Sequence, residues 1–413
     1  MTVIRHTAAA LAAIAVLGGA TPAVAASPSP SASLPAGLYG TSDPTYDGVW
    51  RQSLALLAQR TVGVEPAGAA VAWLAGQQCG DGSFAAYRTS AGTPCKADTN
   101  STAAAVQALA AVGGHDGGVK KAVGWLKSLQ NKDGGWGFTA GGASDANSTS
   151  VVIGALTKAG VTVPDLRKDG KSPYDALRGL ALPCDGPDAG AFAYQPDKKG
   201  KLAANADATA AAVLGVLGET VAGSRQDDTH APAGCTNPGG GHEDAAAADN
   251  GAAWLAKTLA KSGHLTTALP GAKPQPDYGN TADAVVALST AGLNSQAAKP
   301  LHWLESHAAG WAAQAGPGAY AQLIFAASTA QGGDVHDFGG VDLVAKLNAT
   351  GPAPAGADGN ATAGPHDTKA SDTKASDGKD KGGLGVAWTV GGGLLVGALI
   401  GFALMLRGRR RQR

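Results

Sequence analysis

The chain has 413 residues, with 32 Lys plus Arg balanced by 32 Asp plus Glu and only 5 % aromatic residues. Removing the five Arg of the last seven residues and Arg5 from the 32 basic residues leaves 26, so everything between the two ends is mildly acidic. That balance excludes a nucleic-acid binder, which needs a basic face.

In chain order, residues 1–25 carry Arg5, an apolar run from Ala8 and Ala23-Val24-Ala25 before a polar stretch, the layout of a secretory signal peptide cleaved after Ala25. Residues 26–41 form a Ser/Pro-rich linker, and residues 42–349 are expected to form one folded domain. Residues 350–383 repeat Thr-Lys-Ala-Ser-Asp with almost nothing apolar, the composition of a disordered stalk. Leu384–Leu406 is free of charge and long enough for a transmembrane helix, and residues 407–413 are a basic tail holding five Arg. Basic flanks stay cytoplasmic, which predicts a single-pass cell-membrane protein with its large domain extracellular.

Within 42–349 a pattern recurs. DTNSTAAAVQAL (98–109), DANSTSVVIGAL (145–156), NADATAAAVLGV (205–216) and DYGNTADAVVAL (277–288) align without gaps. Each places Asp98, Asp145, Asn205 or Asp277 four residues before a Thr that opens an apolar stripe of helical period, so the first residue reads as an N-cap. A fainter fifth copy spans Tyr320 to Ala327, with Gly316 where the acid stands in the others. Other helices precede these and carry Trp73-Leu74, Trp125-Leu126, Trp254-Leu255 and Trp303-Leu304. The unit is a helical hairpin used five times, and the segments around Trp50–Gln59 and Val341–Asn348 supply a sixth shared between the chain ends. The expected fold is all-α, a six-hairpin α/α barrel with Ala-rich helices inside and Trp-bearing helices outside.

Trp125-Leu126-x3-Gln130-x3-Gly134-x-Trp136 and Trp73-Leu74-x3-Gln78-x3-Gly82-x-Phe84 resemble the repeat of the squalene cyclase and protein prenyltransferase superfamily, whose fold is an α/α toroid. Gly190-Ala191-Phe192 keeps only the end of that motif, and the segments at Trp254 and Trp303 only its beginning. In this reading Gln bonds free backbone groups at the helix end and the aromatic covers the turn. The resemblance implies architecture. The superfamily's Asp-x-Asp-Asp acid, its Asp-Asp-x-x-Asp diphosphate site and its Asp-x-Cys zinc pair have no counterpart; Arg225-Gln226-Asp227-Asp228 comes nearest, in a Gly/Pro-rich insertion. The sequence therefore leans away from an enzyme of the family type and nominates no catalytic residue, metal site or required cofactor.

Four cysteines in an exported chain imply two disulfides; of the three pairings they allow, Cys79 with Cys95 and Cys184 with Cys235 is the simplest. Cys79-Gly80-Asp81-Gly82 begins like the thioester of complement-like proteins but lacks its Gln. Asn100-Ser101-Thr102 and Asn147-Ser148-Thr149 match the glycosylation sequon and coincide with helix starts. His242-Glu243-Asp244, near Asp227, Asp228 and His230, reads as solvated loop rather than a metal site.

The repeats gather Asp98, Asn100, Asp145, Asn147, Asn205, Asp207 and Asp277 at one mouth of the ring, with Tyr278 and Tyr320 offering flat faces. Read blandly, these groups cap helices and offset their dipoles. Read functionally, they are a polar rim that binds a ligand. The leading expectation is a membrane-anchored extracellular binding protein feeding an uptake system. The similar toroid of the cobalamin carriers makes cobalamin one candidate ligand, with a transporter or a second-domain protein as partner. The alternative is a divergent terpenoid cyclase or a carbohydrate-active α/α-barrel enzyme with paired carboxylates such as Asp98 and Asp145. Cleavage after Ala25 predicts a mature chain beginning at Ala26, which N-terminal sequencing of the exported protein checks; an N-terminus at Met1 refutes it.

Overall fold

The computed structural model describes residues 34–228, 234–237, 241, 243–267 and 273–356. The segments expected to be a signal peptide (1–25), most of the stalk (beyond Gly356), a transmembrane helix (384–406) and a basic tail (407–413), with His230 and His242, lie outside the described residues. Among the described residues no helix is long and apolar enough to cross a membrane. The fold below is that of the unit beginning at Pro35.

The described residues are mostly helical. The helices are α1 (Gly48–Thr61), α2 (Gly68–Gly76), α3 (Thr99–Val112), α4 (Asp116–Ser128), α5 (Ala146–Lys158), α6 (Pro173–Arg178) and α7 (Ala206–Val216). They continue with α8 (Glu243–Leu259), α9 (Tyr278–Thr290), α10 (Asn294–His307), α11 (Ala309–Ala315), α12 (Pro317–Thr329) and α13 (Leu343–Asn348). A short antiparallel pair, β1 (Leu265–Thr267) and β2 (Gln275–Asp277), precedes α9 with Leu265 opposite Asp277.

Six helices form the inner layer. α1 packs on α3, α3 on α5, α5 on α7, α7 on α9, α9 on α12, and α12 returns to α1, which closes the ring. α2, α4, α6, α8, α10 and α13 pack outside them, each against inner neighbours. Small side chains permit this spacing. A Cβ at Gly215 of α7 would stand 2.5 Å from the Ser150 hydroxyl of α5, so those two helices approach as closely as glycine allows.

The first and last segments of the ring meet at α1. The Gln59 side chain donates to Asn348 Oδ1 at 2.7 Å and to the Tyr39 hydroxyl at 3.0 Å, and Gly40 N–H donates to the Thr350 carbonyl at 2.8 Å. The fully buried Tyr39 ring sits against Gly351.

The corner that joins outer to inner helices has one recurring lock. The backbone N–H of Phe84, Trp136, Phe192 and Leu265 donates to the hydroxyl of Thr102, Thr149, Thr209 and Thr281, at 2.9, 3.1, 2.9 and 3.0 Å. Each Thr is the first residue of the repeated apolar stripe, so the stripe starts where the corner is pinned. The Gln of the motif acts differently from the expectation. Gln78 and Gln130 donate to the carbonyls of Gly82 and Gly134 inside the turn, at 2.9 Å each. In the second of these corners the helix-end carbonyl, that of Leu126, is met instead by the Trp136 indole N–H at 2.7 Å. The reason is reach: the chain turns back at Gly134 (φ 91°) and lays its carbonyl across the amide.

Two disulfides join Cys79 to Cys95 and Cys184 to Cys235. They sit on outer loops, consistent with an oxidising compartment. Replacing Thr149 with Val keeps the shape of this buried side chain but leaves the Trp136 N–H without an acceptor, a loss of about 1–3 kcal/mol. The expected outcome is a melting temperature lower by roughly 2–10 °C in a circular-dichroism melt; an unchanged melt refutes the lock.

Candidate functional site

The inner helices run parallel, which brings their N-termini to one mouth. Asn147 and Asp207 hold the same position in their repeats, two residues after the N-cap, and the Asn147 amide donates to Asp207 Oδ2 at 2.7 Å. Asp283 and Gln322 hold the position four residues further on, and Gln322 Nε2 reaches both Asp283 oxygens at 3.1 Å. Positions two, six and nine after the cap therefore share the face turned to the ring axis.

That face has tiers. Asn100, Asn147 and Asp207 form the first. Asp283 and Gln322 share the second with Ala104, Val151 and Ala211. The third holds Gln107, Gly154, Leu214, Val286 and Phe325. Asp207, Ala211 and Asp283 keep partial solvent contact although they lie on inner helices, so solvent reaches the first two tiers from the mouth.

The opposite end is closed by residues 219–226, between α7 and α8. Val221 N–H donates to Gln107 Oε1 at 3.1 Å, and Ser224 N–H to Thr290 Oγ1 at 3.2 Å. The Arg225 guanidinium donates to the carbonyls of Ser328, Thr329 and Ala330 at the end of α12. Gly223 is required there: its φ is 61°, and a Cβ would stand 2.4 Å from Thr290 Oγ1. Arg225-Gln226 of the acid-like sequence thus belongs to the plug, and Asp228 accepts from the Ser295 hydroxyl at 2.6 Å.

The sequence-nominated residues fall into three groups. Asp98, Asp145, Asn205 and Asp277 cap α3, α5, α7 and α9, each accepting from the N–H three residues on: Ser101, Ser148, Ala208 and Asn280. Asn100, Asn147 and Asp207 lie one step inside, on the axial face. Asn100 and Asn147 are 8 % and 4 % exposed, which leaves no room for a glycan in the folded chain. The tyrosines sit elsewhere. Tyr278 stacks between Trp303 and Trp311, ring centres 5.1 and 5.5 Å away, so both of its faces are occupied. Tyr320 is buried at the place in α12 where the other repeats carry the pinning Thr.

Three participants were not nominated: Asp283, Gln322 and Tyr194. Asp283 had a signal, because the other repeats put Ala104, Val151 and Ala211 at that position, and a carboxylate among them breaks an apolar rule. Tyr194 lies in the lead-in to α7, where no period marks it.

Burial sets the electrostatics. It pushes the Asp98 and Asp145 carboxyls up to about 6 against the hydrogen bonds of their caps. Asp207 is pushed up to about 8, first by burial and then by the negative charge of Asp283, with Asn147 opposing. Asp283 is pushed up to about 7 by burial, opposed by Gln322 and reinforced by Asp277. Burial and the nearby Asp145 and Asp207 hold the Tyr194 phenol far above its ordinary range. No Lys, Arg or His contributes to any of these carboxyls.

Several acceptors inside the mouth have no partner: Asn100 Oδ1, Asn147 Oδ1 and Asn280 Oδ1. Among the described residues no cluster of three or more His, Cys, Asp or Glu is arranged to hold a metal. A separate cavity of about 270 Å³ lies outside the ring between α6 and α8, beside the Cys184–Cys235 bridge. Its Arg178 is tied to Asp175 and Asp244, and its Asn250 to the backbone of Thr236.

No family model and no curated protein matches the chain. Solved structures similar to it include a protein from Actinoplanes (TM-score 0.42, 18 % identity, 65 % of this chain and 74 % of that one). Another is ent-copalyl diphosphate synthase from Streptomyces platensis (TM-score 0.45, 18 % identity, 68 % and 50 %). A third is the apo form of the type II terpene cyclase MstE from Scytonema (TM-score 0.42, 16 % identity, 65 % and 72 %). The chain spans half the length of the Streptomyces synthase. The α/α toroid rests on the closed ring of inner helices.

The carboxyls make the pH dependence of stability testable. Their folded pKa values, about 6 to about 8, exceed the ordinary 3.8, so folding favours the protonated forms. Their stabilisation is complete below about pH 4 and is lost as pH rises through about 6 to 8. The carboxyls held low on the surface, such as Asp175 and Asp342, act only at still lower pH. Calorimetry is expected to show a melting temperature that falls from about pH 5 to about pH 9. The double variant Asp207→Asn, Asp283→Asn flattens that fall; an equally steep fall in the variant refutes the assignment.

Proposed function

We propose that the protein is an extracellular binding protein, tethered by its C-terminal segment, that holds a small ligand in the one-ended hollow of the toroid. The observation that carries this reading is the set of buried, unpartnered acceptors at the mouth beside Asp207 and Asp283. An unpaired buried acceptor costs about 1–3 kcal/mol, and a ligand that donates to it recovers that cost. The plug at the far end favours capture from one side over passage through the ring. A corrinoid remains one ligand among several, because no residue at the mouth selects it.

A second reading has its own observation. Asp207 and Asp283 hold protons near neutral pH, which is the state a general acid needs. Under that reading the chain is a divergent cyclase-type enzyme that protonates an apolar substrate entering the hollow, with Leu214, Val286 and Phe325 below it.

The full chain, purified without added ligand, is expected to carry a small molecule in native mass spectra. Asp207→Asn with Asp283→Asn should lower its retention by about tenfold or more. Titration with cobalamin, followed by its visible spectrum, tests that ligand directly. A chain that retains nothing and binds nothing removes the binding reading. Turnover of a polyene or glycoside that vanishes in either Asp→Asn variant replaces it with the enzyme reading.

A further inference from the structure

The mouth specifies the chemistry of what enters it. We infer that the ligand presents a protonated amine, and that its ammonium is accepted by Asp207, Asp283 and the free Oδ1 of Asn147. This rests on the reading of the hollow as a binding site and names the class of ligand it takes.

Three observations carry the inference. First, the amides of Asn147 and Gln322, beside the two inner carboxyls, are both committed to acceptors. Asn147 spends its amide on Asp207, and Gln322 spends one on Asp283, which leaves the Asn147 carbonyl oxygen buried beside Asp207 without a partner. Asn147 is 4 % exposed, so no bulk water satisfies that oxygen. An ammonium brings three N–H donors and no acceptor, which matches the two carboxyls once ionised and the unpartnered amide oxygen beside them.

Second, the site lacks its own counter-charge. The groups that face Asp207 are Asp145 and Asn147 from α5, Tyr194 from the lead-in to α7, and Asp277 and Asp283 from α9. From α12 Asp283 meets only the neutral Gln322. α8 packs on the other side of α7, where Gly251 meets Val213 and Phe192. A carboxylate pair with no cation resolves its repulsion in one of two ways: it holds protons, or it takes a positive ligand. Third, the metal alternative is not built, since no cluster of ligating side chains is arranged for it among the described residues.

Binding then exchanges cations. The ammonium enters with its charge, the proton held by the Asp207/Asp283 pair leaves to the buffer, and no covalent bond changes. Affinity therefore rises with pH up to the carboxyl pKa values and weakens below them by up to about tenfold per pH unit for each proton displaced.

Putrescine and butylamine, set against the neutral diol and alcohol of the same length, test this on the full chain by isothermal calorimetry. The titrations run at about pH 6 and about pH 8.5, in two buffers of different ionisation enthalpy. The expected result is binding of the amines only, about tenfold or more tighter at the higher pH, with proton release seen as a buffer-dependent heat at the lower. Asp207→Asn and, separately, Asp283→Asn are isosteric with the protonated carboxyls and are expected to fold. Each should weaken amine binding and flatten the pH slope, and the double variant should remove it. Equal binding of amine and alcohol, an undiminished slope in both single variants, or no binding of either amine overturns the proposal. A neutral molecule that co-purifies with the chain and is lost from Asp207→Asn overturns it too, yet leaves the hollow standing as a binding site. A chain that holds no small molecule of any charge ends both.

Discussion

The parallel inner layer is the constraint on which the rest depends. Because each outer helix carries the chain back before the next inner helix begins, every inner helix starts at the same mouth. Parallel neighbours add their dipoles there, and each N-terminus leaves backbone N–H groups unbonded. The recurring Asp98, Asp145, Asn205 and Asp277 answer that requirement, each closing one N–H three residues on. The repeat seen in the sequence is thus the imprint of a local need that recurs around the ring.

Capping accounts for the rim and stops there. A helix N-terminus favours a nearby carboxylate by about 0.3–1 kcal/mol, less than one pKa unit. Asp207 is instead pushed up from 3.8 to about 8, so burial and the neighbouring acids outweigh the dipole several times over. A residue retained for capping would sit where the dipole wins. Asp207 and Asp283 lie inside the cap, on the axial face, where the dipole fades and desolvation dominates. Their placement costs stability at neutral pH, and the chain recovers it through the apolar contacts of the same helices on the other face.

Architecture was legible because two periodicities of different origin coincide. The stripe from Thr102 through Val106 and Leu109 faces the outer helices, and the same spacing in three other copies fixes which side of each inner helix is packed. The corner could be read from Trp125 to Trp136, though the division of labour within it could not: which carbonyl Gln130 meets depends on how the turn at Gly134 folds back. The two disulfides followed the simplest pairing, Cys79 with Cys95 across one loop and Cys184 with Cys235 across a longer segment that includes α7. The axial face was harder. It falls at positions two, six and nine after the cap, where Gly and apolar residues mix with Asn, Asp and Gln from copy to copy, so no single pattern marks it. Asp207 was found because it lies within the capping motif. Asp283 was missed because it lies past it. Tyr278 was read as a free ring at the mouth, but the Trp303 and Trp311 rings that cover it come from α10 and α11, more than twenty residues away in sequence.

The plug bears on which role suits the hollow. A toroid open at both ends would let solvent reach the axial carboxyls from two sides, and their pKa values would relax toward the ordinary range. With Arg225 fixed to the end of α12 and Gly223 pressed against Thr290, the floor is sealed by backbone and side chain together. The carboxyls then see water from the mouth alone, and whatever fills the mouth removes the rest. Covering by a neutral apolar molecule would raise their proton affinity further and favour the acid chemistry of an enzyme. Covering by a cation would lower it and favour a stable complex. On the proposed reading of the mouth as a binding site, the charge of an occupant would decide between catalysis and capture, and Asn147 Oδ1, an acceptor that an apolar occupant would leave unpaired, favours the cation.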